Sequence, residues 1–194
     1  MDKLKTFKYF YVDDFVSKEI QDELESSLLT DEIPYFYNHS TTSKEYMGDN
    51  GLVDSDFGDR IFEKEHFTHS FINRGKKWSD KTDILRPLIK QLPEKDELYR
   101  VKVNLMLQDK NGDPDCHNTP HYDFTDFSYY IGLYYVCDSD GDTFLFDEDK
   151  KIMDRITPKK GRMVFMRGDL LHASRHPIKF ERRVAINLDI MSND

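Results

Sequence analysis

Apolar residues in the first half of the chain recur at helical spacing. Ser17 stands where a helix N-cap is expected. Four apolar residues around it continue the pattern at intervals of four, namely Val16, Ile20, Leu24 and Leu28. A second helix is predicted over 80–92, where Pro87 predicts a kink or a later start. Between the two helices we predict a short strand at 35–37 and a loop over the polar stretch 38–59.

After Leu98 the pattern changes to short apolar segments that are typical of strands. Turn signals separate them, at Asn111-Gly112, Gly141-Asp142 and Gly168-Asp169. The predicted strands are 99–107, 129–136, 143–146, 162–166 and 183–190. This order predicts a mainly β (α+β) fold, a jelly roll with N-terminal helices packed on one sheet. With 194 residues we expect one domain, in which 1–97 form the helical and strand layer and 98–194 the core.

Charge and cysteine content narrow the classes of partner and compartment. The net charge of −9 disfavours unaided nucleic-acid binding, because phosphate contacts need clustered Lys and Arg. Cys116 and Cys137 lack a zinc-like spacing and are predicted to be free thiols in a reducing compartment. No apolar run has the length of a membrane span or of a signal-peptide core. We therefore expect a cytoplasmic protein, in the host cytoplasm if it is viral.

The segment His121-Tyr122-Asp123 is the strongest candidate for chemistry. In an extended strand His121 and Asp123 face the same side, so one strand can present an imidazole and a carboxylate to one ion. A lone His-x-Asp also arises by chance, so a third ligand is needed. His172 follows a turn and is expected to come from the opposite sheet. Two histidines and one carboxylate are the protein ligands of a non-haem Fe(II) site with open coordination positions.

Arg183 strengthens the metal prediction. In a strand, Arg183, Ala185 and Asn187 share one face, and Arg182 is predicted to face solvent. If that face points inward, the arginine needs an anion, because a buried unpaired guanidinium is costly. A dicarboxylic co-substrate can chelate iron at one end and pair with Arg183 at the other.

Several histidines compete for these roles. His176 is an alternative distal ligand, although Pro177 after it favours a loop. His117 and His121 have the spacing of a zinc-protease helix, which Pro120 disrupts. Two further histidines, His66 and His69, are interpreted as ordinary polar or core residues, with substrate contact as the alternative.

Two loops and one aromatic residue have predicted places around the site. Segments 38–59 and 124–127 are candidate lids over the metal, with a plain surface loop as the alternative for the first. Trp78 is predicted to lie in the core or at an interface between layers, with a platform for the substrate as the alternative.

These features together resemble the Fe(II)/2-oxoglutarate-dependent oxygenases, especially the prolyl-4-hydroxylase-like branch, and more distantly small members encoded by marine phages. The motifs that carry the resemblance are Val12-Asp13-Asp14-Phe15, Pro120-His121-Tyr122-Asp123, Leu133-Tyr134-Tyr135-Val136, Gly141-Asp142-Thr143, Pro158-Lys159-Lys160-Gly161-Arg162, Gly168-Asp169 before His172, and Arg183-Val184-Ala185-Ile186. Gly141-Asp142 departs from the Gly-Gly pair of many relatives. Collagen-type relatives carry a lysine where this chain has Arg183.

The resemblance implies a double-stranded β-helix and a set of site residues. His121, Asp123 and His172 would bind Fe(II). Arg183 would hold the distal carboxylate of 2-oxoglutarate, Tyr135 would contact the same carboxylate, and Asn104 would face the co-substrate. O₂ would be the second co-substrate, with ascorbate as a supporting reductant.

Three functions follow as hypotheses. The first is a dioxygenase that hydroxylates a peptidyl residue such as proline. The second has the same mechanism but acts on a free amino acid, a small metabolite or a nucleobase. The third is a non-catalytic jelly-roll binding module. The partner is accordingly a peptide, protein or small-molecule substrate, and the sequence does not specify an oligomeric state.

Overall fold

A computed structural model describes residues 6–42, 44–93 and 97–191, and its main feature is a pair of β-sheets. The strands are β1 (Tyr9–Val12), β2 (Phe36–Asn38), β3 (His66–Asn73), β4 (Lys76–Lys77), β5 (Glu97–Leu107), β6 (Tyr129–Tyr135), β7 (Thr143–Phe146), β8 (Ile152–Ile156), β9 (Met163–Arg167), β10 (His172–Ser174) and β11 (Arg182–Met191). The large sheet has the order β1-β9-β6-β11-β5-β3-β2, with β4 on β3, and the small sheet has the order β10-β7-β8. All pairings are antiparallel, which confirms the predicted mainly β jelly-roll class.

Helices cover the outer face of the large sheet. Helix α1 (Lys18–Leu28) begins at the predicted N-cap, where the Ser17 hydroxyl accepts a hydrogen bond from the amide of Ile20. The predicted second helix is a 3₁₀ helix, Asp80–Leu85, continued by helix α3 (Arg86–Ile89), so Pro87 marks the later start of the α-helical part. Apolar residues of these helices form one core with the residues of β5 and β11 that face the helices. The members are Leu24, Leu28, Leu85, Leu88, Val101, Val103, Ile186 and Leu188.

The segment 38–59 is not only a loop, and that prediction was wrong. It contains helix α2 (Lys44–Asp49) and most of a second 3₁₀ helix, Asp54–Arg60. Apolar residues of this segment pack on the outer face of the small sheet, with Met47, Leu52 and Phe57 contacting a cluster that contains Phe144, Phe146 and Leu171. Few apolar residues at irregular spacing anchor these short helices, so their periodicity is too weak to be recognised.

Trp78 also differs from its prediction, because its side chain is 70% exposed. The backbone amides of Trp78 and Ser79 donate to the carbonyl of Phe71, so this part of the chain is held in place while the indole points outward. Phe71 is fully buried and fills the core position instead. Both cysteines are free, as predicted. The longest helix in the described part of the chain has 11 residues, and none there could cross a lipid bilayer.

Candidate functional site

Polar side chains form a band on the inner face of the large sheet. Alternate residues of β5 point inward, and antiparallel partners on β11 share that face. The register places four such pairs side by side: Arg183 with Met106, Ala185 with Asn104, Asn187 with Lys102, and Asp189 with Arg100. This confirms that Arg183, Ala185 and Asn187 share one face and that the face points between the sheets. Arg182, on the other face, is half exposed near Glu25 of α1.

The three predicted metal ligands meet at one point beside this band. His121, Asp123 and His172 each offer one ligand atom, and these atoms all lie within 4.8 Å of one another. The peptide groups of His121 and His172 exchange two hydrogen bonds, with N···O distances of 2.9 and 3.2 Å, in a single bridge between the segment before Asp123 and β10. His172 therefore lies beside His121 and does not arrive from the opposite sheet, contrary to the prediction. The cause is that the 119–123 segment extends the small sheet at β10.

The two histidines are oriented for metal binding by the backbone. Nδ1 of His121 lies 3.0 Å from the carbonyl oxygen of Thr119, and Nδ1 of His172 lies 3.0 Å from that of Leu170. A carbonyl oxygen only accepts, so each Nδ1 donates a hydrogen bond, and Nε2 is the atom that each ring can offer to a metal. Burial, followed by the neighbouring His172, lowers the pKa of His121 to about 4, which keeps that ring neutral and able to bind a metal.

Asp123 is the point at which the two sheets are linked. Its Oδ1 accepts a hydrogen bond from Nη2 of Arg100, and its Oδ2 accepts one from Nδ2 of Asn187 at 3.0 Å. Burial opposes ionisation, but the positive charges of Arg100 and Lys102 hold the pKa of Asp123 well below its usual range. The carboxylate is therefore charged and fixed in orientation, as a metal ligand must be. Arg100 also binds Asp189, at 2.6 Å.

Arg183 lies in the same cavity and is 2% exposed. Its Nε donates to the carbonyl oxygen of Gly141 at 2.8 Å, and its Nη2 donates to Oγ1 of Thr143 at 2.9 Å. In the described parts of the chain no carboxylate forms an ion pair with it. A Cβ atom on Gly141 would lie 2.5 Å from the carbonyl oxygen of Arg175 and 2.9 Å from Cδ of Arg183, so only glycine fits beside this arginine.

Tyr135 and Asn104, the two remaining predicted residues, differ in position. Asn104 lines the cavity. Tyr135 is fully buried, and its hydroxyl lies 2.7 Å from Oγ1 of Thr143, which also binds Arg183. The guanidinium of Arg183 lies over the Tyr135 ring, with Cζ 5.5 Å from the ring centroid. A direct contact between Tyr135 and a co-substrate stays a prediction.

The other histidines fall into two groups. His69 is structural, because its ring nitrogens lie 2.9 Å from the carbonyl oxygen of Pro34 and 2.8 Å from the hydroxyl of Ser79. His176 is also held away from the metal group, with Nδ1 bonded to the carbonyl of Leu107 at 2.9 Å. His66 lines the cavity, and its contact with a substrate stays a prediction.

Several cavity residues escaped the sequence-based prediction. The cavity measures about 50 Å³, and its lining includes Lys102, Met106, Ile131, Met166 and Ser174, which the sequence did not mark as site residues. Thr41 belongs to the candidate lid 38–59, which places one end of that segment at the site. One signal in the sequence was available, since Arg100, Lys102 and Asn104 alternate with apolar residues along a single strand. Polar residues on the buried face of a strand indicate a site rather than a core.

Known structures share this architecture across nearly the whole chain. A viral collagen prolyl hydroxylase from Paramecium bursaria chlorella virus 1, in a complex with 2OG, matches 98% of each chain at 17% identity and a TM-score of 0.56. A Burkholderia pseudomallei oxidoreductase of the 2OG-Fe(II) oxygenase family matches 97% of this chain and 87% of its own, at 11% identity and a TM-score of 0.65. The chain has the fold of the 2OG-Fe(II) oxygenases.

A third match carries a peptide. It is a Trichoplax adhaerens prolyl hydroxylase in complex with a fragment of the hypoxia inducible factor, which matches 98% of this chain and 86% of its own at 13% identity and a TM-score of 0.61. No model of a known protein family matches the sequence. No curated protein matches it either. The likeness therefore lies in the fold, and the site geometry has to support any statement about chemistry.

Proposed function

We propose that the protein is an Fe(II)- and 2-oxoglutarate-dependent dioxygenase that hydroxylates a C–H bond of its substrate. One observation carries the proposal: two Nε2 lone pairs and a charged carboxylate converge in a cavity that also holds Arg183. This ligand set fits Fe(II), because three protein ligands leave open positions. Bound iron and 2-oxoglutarate would provide the chemistry by which O₂ oxidises a C–H bond. The protein would bind the metal, the co-substrate and the substrate and would orient them.

Each side chain has a stated task in this proposal. His121, Asp123 and His172 would hold the metal, with Arg100 and Asn187 keeping the Asp123 carboxylate in place. Arg183 would pair with the distal carboxylate of 2-oxoglutarate, since burial lowers the pKa of its guanidinium and an anion would offset that cost.

Two substrate classes remain within the proposal. A peptidyl residue such as proline is supported by the fold shared with prolyl hydroxylases. A free amino acid or another small molecule is supported by the cavity itself, because its lining among the described residues contains no Phe, Tyr or Trp side chain that would flank a peptide. A non-catalytic binding module is the competing function.

The test is conversion of 2-oxoglutarate to succinate by protein purified without O₂ and then supplied with Fe(II), ascorbate and O₂. We expect turnover in the wild type, none in His121→Ala, and an increase of about a hundredfold in the 2-oxoglutarate requirement of Arg183→Ala. Arg182→Ala, the neighbouring arginine on the opposite face, is the matched control and should resemble the wild type.

The outcomes separate the candidate functions. Neither turnover nor 2-oxoglutarate binding by the metal-loaded wild type would favour the binding module. Binding of 2-oxoglutarate that depends on Arg183 but produces no succinate would instead indicate that turnover requires the true substrate.

A further inference from the structure

Lys102 is a second cation in the cavity, and its ammonium has no direct partner among the described residues. It lies on β5 beside Asn187, which holds Asp123, and it lines the cavity together with the metal group. Within residues 6–42, 44–93 and 97–191 its ammonium makes no hydrogen bond and no ion pair. Lys102 is half-buried, and an ammonium at a cavity wall without a protein partner can pair with an anionic ligand.

The two acidic groups that attract Lys102, Asp123 and Asp189, are each bound to Arg100, and Oδ1 of Asp189 has no hydrogen-bond partner among the described residues. Arg100 binds both Asp123 and Asp189 and stacks on the ring of Phe124, with its Cζ atom 4.5 Å from the ring centroid. The attraction of these two carboxylates does not compensate for the burial of Lys102 and its repulsion by Arg100, so the pKa of its ammonium is lowered. Lys102 acts on these carboxylates through charge alone and is left without a direct partner among the described residues, beside the metal group.

The proposed co-substrate accounts for a different cation. Three successive inward-facing residues of β11 are Arg183, Ala185 and Asn187. Asn187 lies opposite Lys102 on β5. Arg183 thus marks the end of the cavity away from the metal ligands, and Lys102 marks the end beside them. A ligand that pairs with Arg183 leaves Lys102 for a second anionic group.

His66 gives independent support for a polar ligand at this place. It is 5% exposed, lines the same cavity, and its Nδ1 has no hydrogen-bond partner among the described residues. Burial and the charges of Lys102, His176 and Arg183 lower the pKa of His66 to about 4, so it is a neutral group at physiological pH. A buried ring nitrogen without a partner indicates a hydrogen bond to a bound molecule.

We propose that Lys102 binds a carboxylate of the substrate, so that the protein acts on an acid rather than on a neutral peptidyl residue. This inference rests on the proposed dioxygenase function and specifies its substrate class. A free amino or organic acid and an acidic side chain of a peptide offer the same carboxylate. In either case Lys102 would orient the reacting carbon by fixing the charged end of the substrate.

The test uses protein loaded with Zn(II) and 2-oxoglutarate, so that binding is measured without turnover. Free amino acids, short dicarboxylic acids and the amides of both are added separately to the protein. Capped peptides that contain either Asp or proline are tested in the same way. Binding is measured as the rise in the thermal unfolding midpoint of the protein. We expect at least one acid to bind the wild type and its amide to bind at least about tenfold more weakly. Binding of the capped Asp peptide alone would identify a peptide as the source of the carboxylate.

Variants of Lys102 connect this selectivity to one side chain. Lys102→Met should weaken binding of the acid at least about tenfold and Lys102→Arg much less, whereas the exposed Lys76→Met serves as the matched surface control. Without any ligand, Lys102→Met should have a higher thermal midpoint than the wild type, because an unpaired charge is removed. This last readout needs neither metal nor activity.

Several results would overturn the proposal. The first two are that no acid in the panel binds and that acids and amides bind equally well. The other two concern Lys102→Met: a thermal midpoint below that of the wild type without ligand, or a loss of 2-oxoglutarate affinity as large as its loss of acid affinity. Failure of the metal-loaded wild type to bind 2-oxoglutarate would instead overturn the dioxygenase function itself.

Discussion

The two ends of the cavity hold their cations in opposite ways. At one end Arg183 donates to the carbonyl of Gly141 and the hydroxyl of Thr143, and a glycine leaves room for it. At the other end Lys102 extends beside the metal ligands with no partner among the described residues. Arg183 is therefore positioned before any ligand arrives, while Lys102 depends on a ligand for its partner.

This difference separates two kinds of binding group. A guanidinium held by two neutral acceptors keeps its charge and its orientation, which suits a co-substrate that binds in every catalytic cycle. An ammonium on a flexible stem adapts to its ligand, which suits a group that selects among substrates. The comparison predicts that changes near Arg100 and Lys102 alter stability and selectivity, and that changes near Thr143 alter co-substrate affinity.

The largest expected effect is at Arg100, which links the metal end to the large sheet. Arg100→Met leaves Asp123 and Asp189 buried without their shared cation, so the free energy of unfolding should fall by about 3–5 kcal/mol. Urea unfolding of the metal-free protein measures it. In Arg100→Met, Lys102 would be the cation left to compensate the charges of Asp123 and Asp189. Adding Lys102→Met should therefore destabilise the Arg100→Met protein, although the same substitution stabilises the wild type. Equal effects of Lys102→Met in both backgrounds would contradict this coupling.

A smaller effect should appear in the pH dependence of stability. The pKa of His66 is lowered from 6.5 to about 4 in the folded protein, by burial first and then by the charges of Lys102, His176 and Arg183. The unfolded chain binds a proton below pH 6.5 while the folded protein does not, so stability is present above that pH and is lost as the pH falls toward 4. Between pH 6.5 and 5 the loss should be on the order of 2 kcal/mol.

His66→Asn measures that contribution. Unfolding free energies of the variant should fall less steeply than those of the wild type over the same pH interval. His121, whose pKa is also lowered to about 4, should maintain part of the slope. An unchanged slope in His66→Asn would show that His66 does not resist protonation.

The smallest effect concerns the hydroxyl that Arg183 and Tyr135 share. Thr143→Val keeps the shape of the side chain but leaves the Arg183 and Tyr135 groups without that partner, at a cost of about 1 kcal/mol. The 2-oxoglutarate concentration needed for half-maximal binding should rise by roughly tenfold or less. Thr143→Ser retains the hydroxyl and is the control. If Thr143→Val changed the selectivity for acids and left the affinity for 2-oxoglutarate unchanged, the two ends of the cavity would not have the separate roles described above.

Strand periodicity made much of the site predictable from the sequence. The His-x-Asp segment, the later histidine and the alternation of Arg183, Ala185 and Asn187 depend on local spacing, and the structure brings these residues to one cavity. The arrangement of His172 was not predictable, because the bridge between His121 and β10 depends on how a loop docks on a sheet edge. The helices within 38–59 were missed for a related reason, since their stability comes from packing on the small sheet.

By itself the sequence determined the jelly-roll class, the start of α1 at Ser17 and the identity of the candidate metal ligands, because capping and side-chain alternation act over a few residues. Only the tertiary structure decided which charges are neutralised. Arg100 and Asp189 lie 89 positions apart and form an ion pair, whereas Lys102, two residues from Arg100, is left for a ligand. Pairing of buried charges depends on distances across strands and between sheets, and no local pattern encodes those distances.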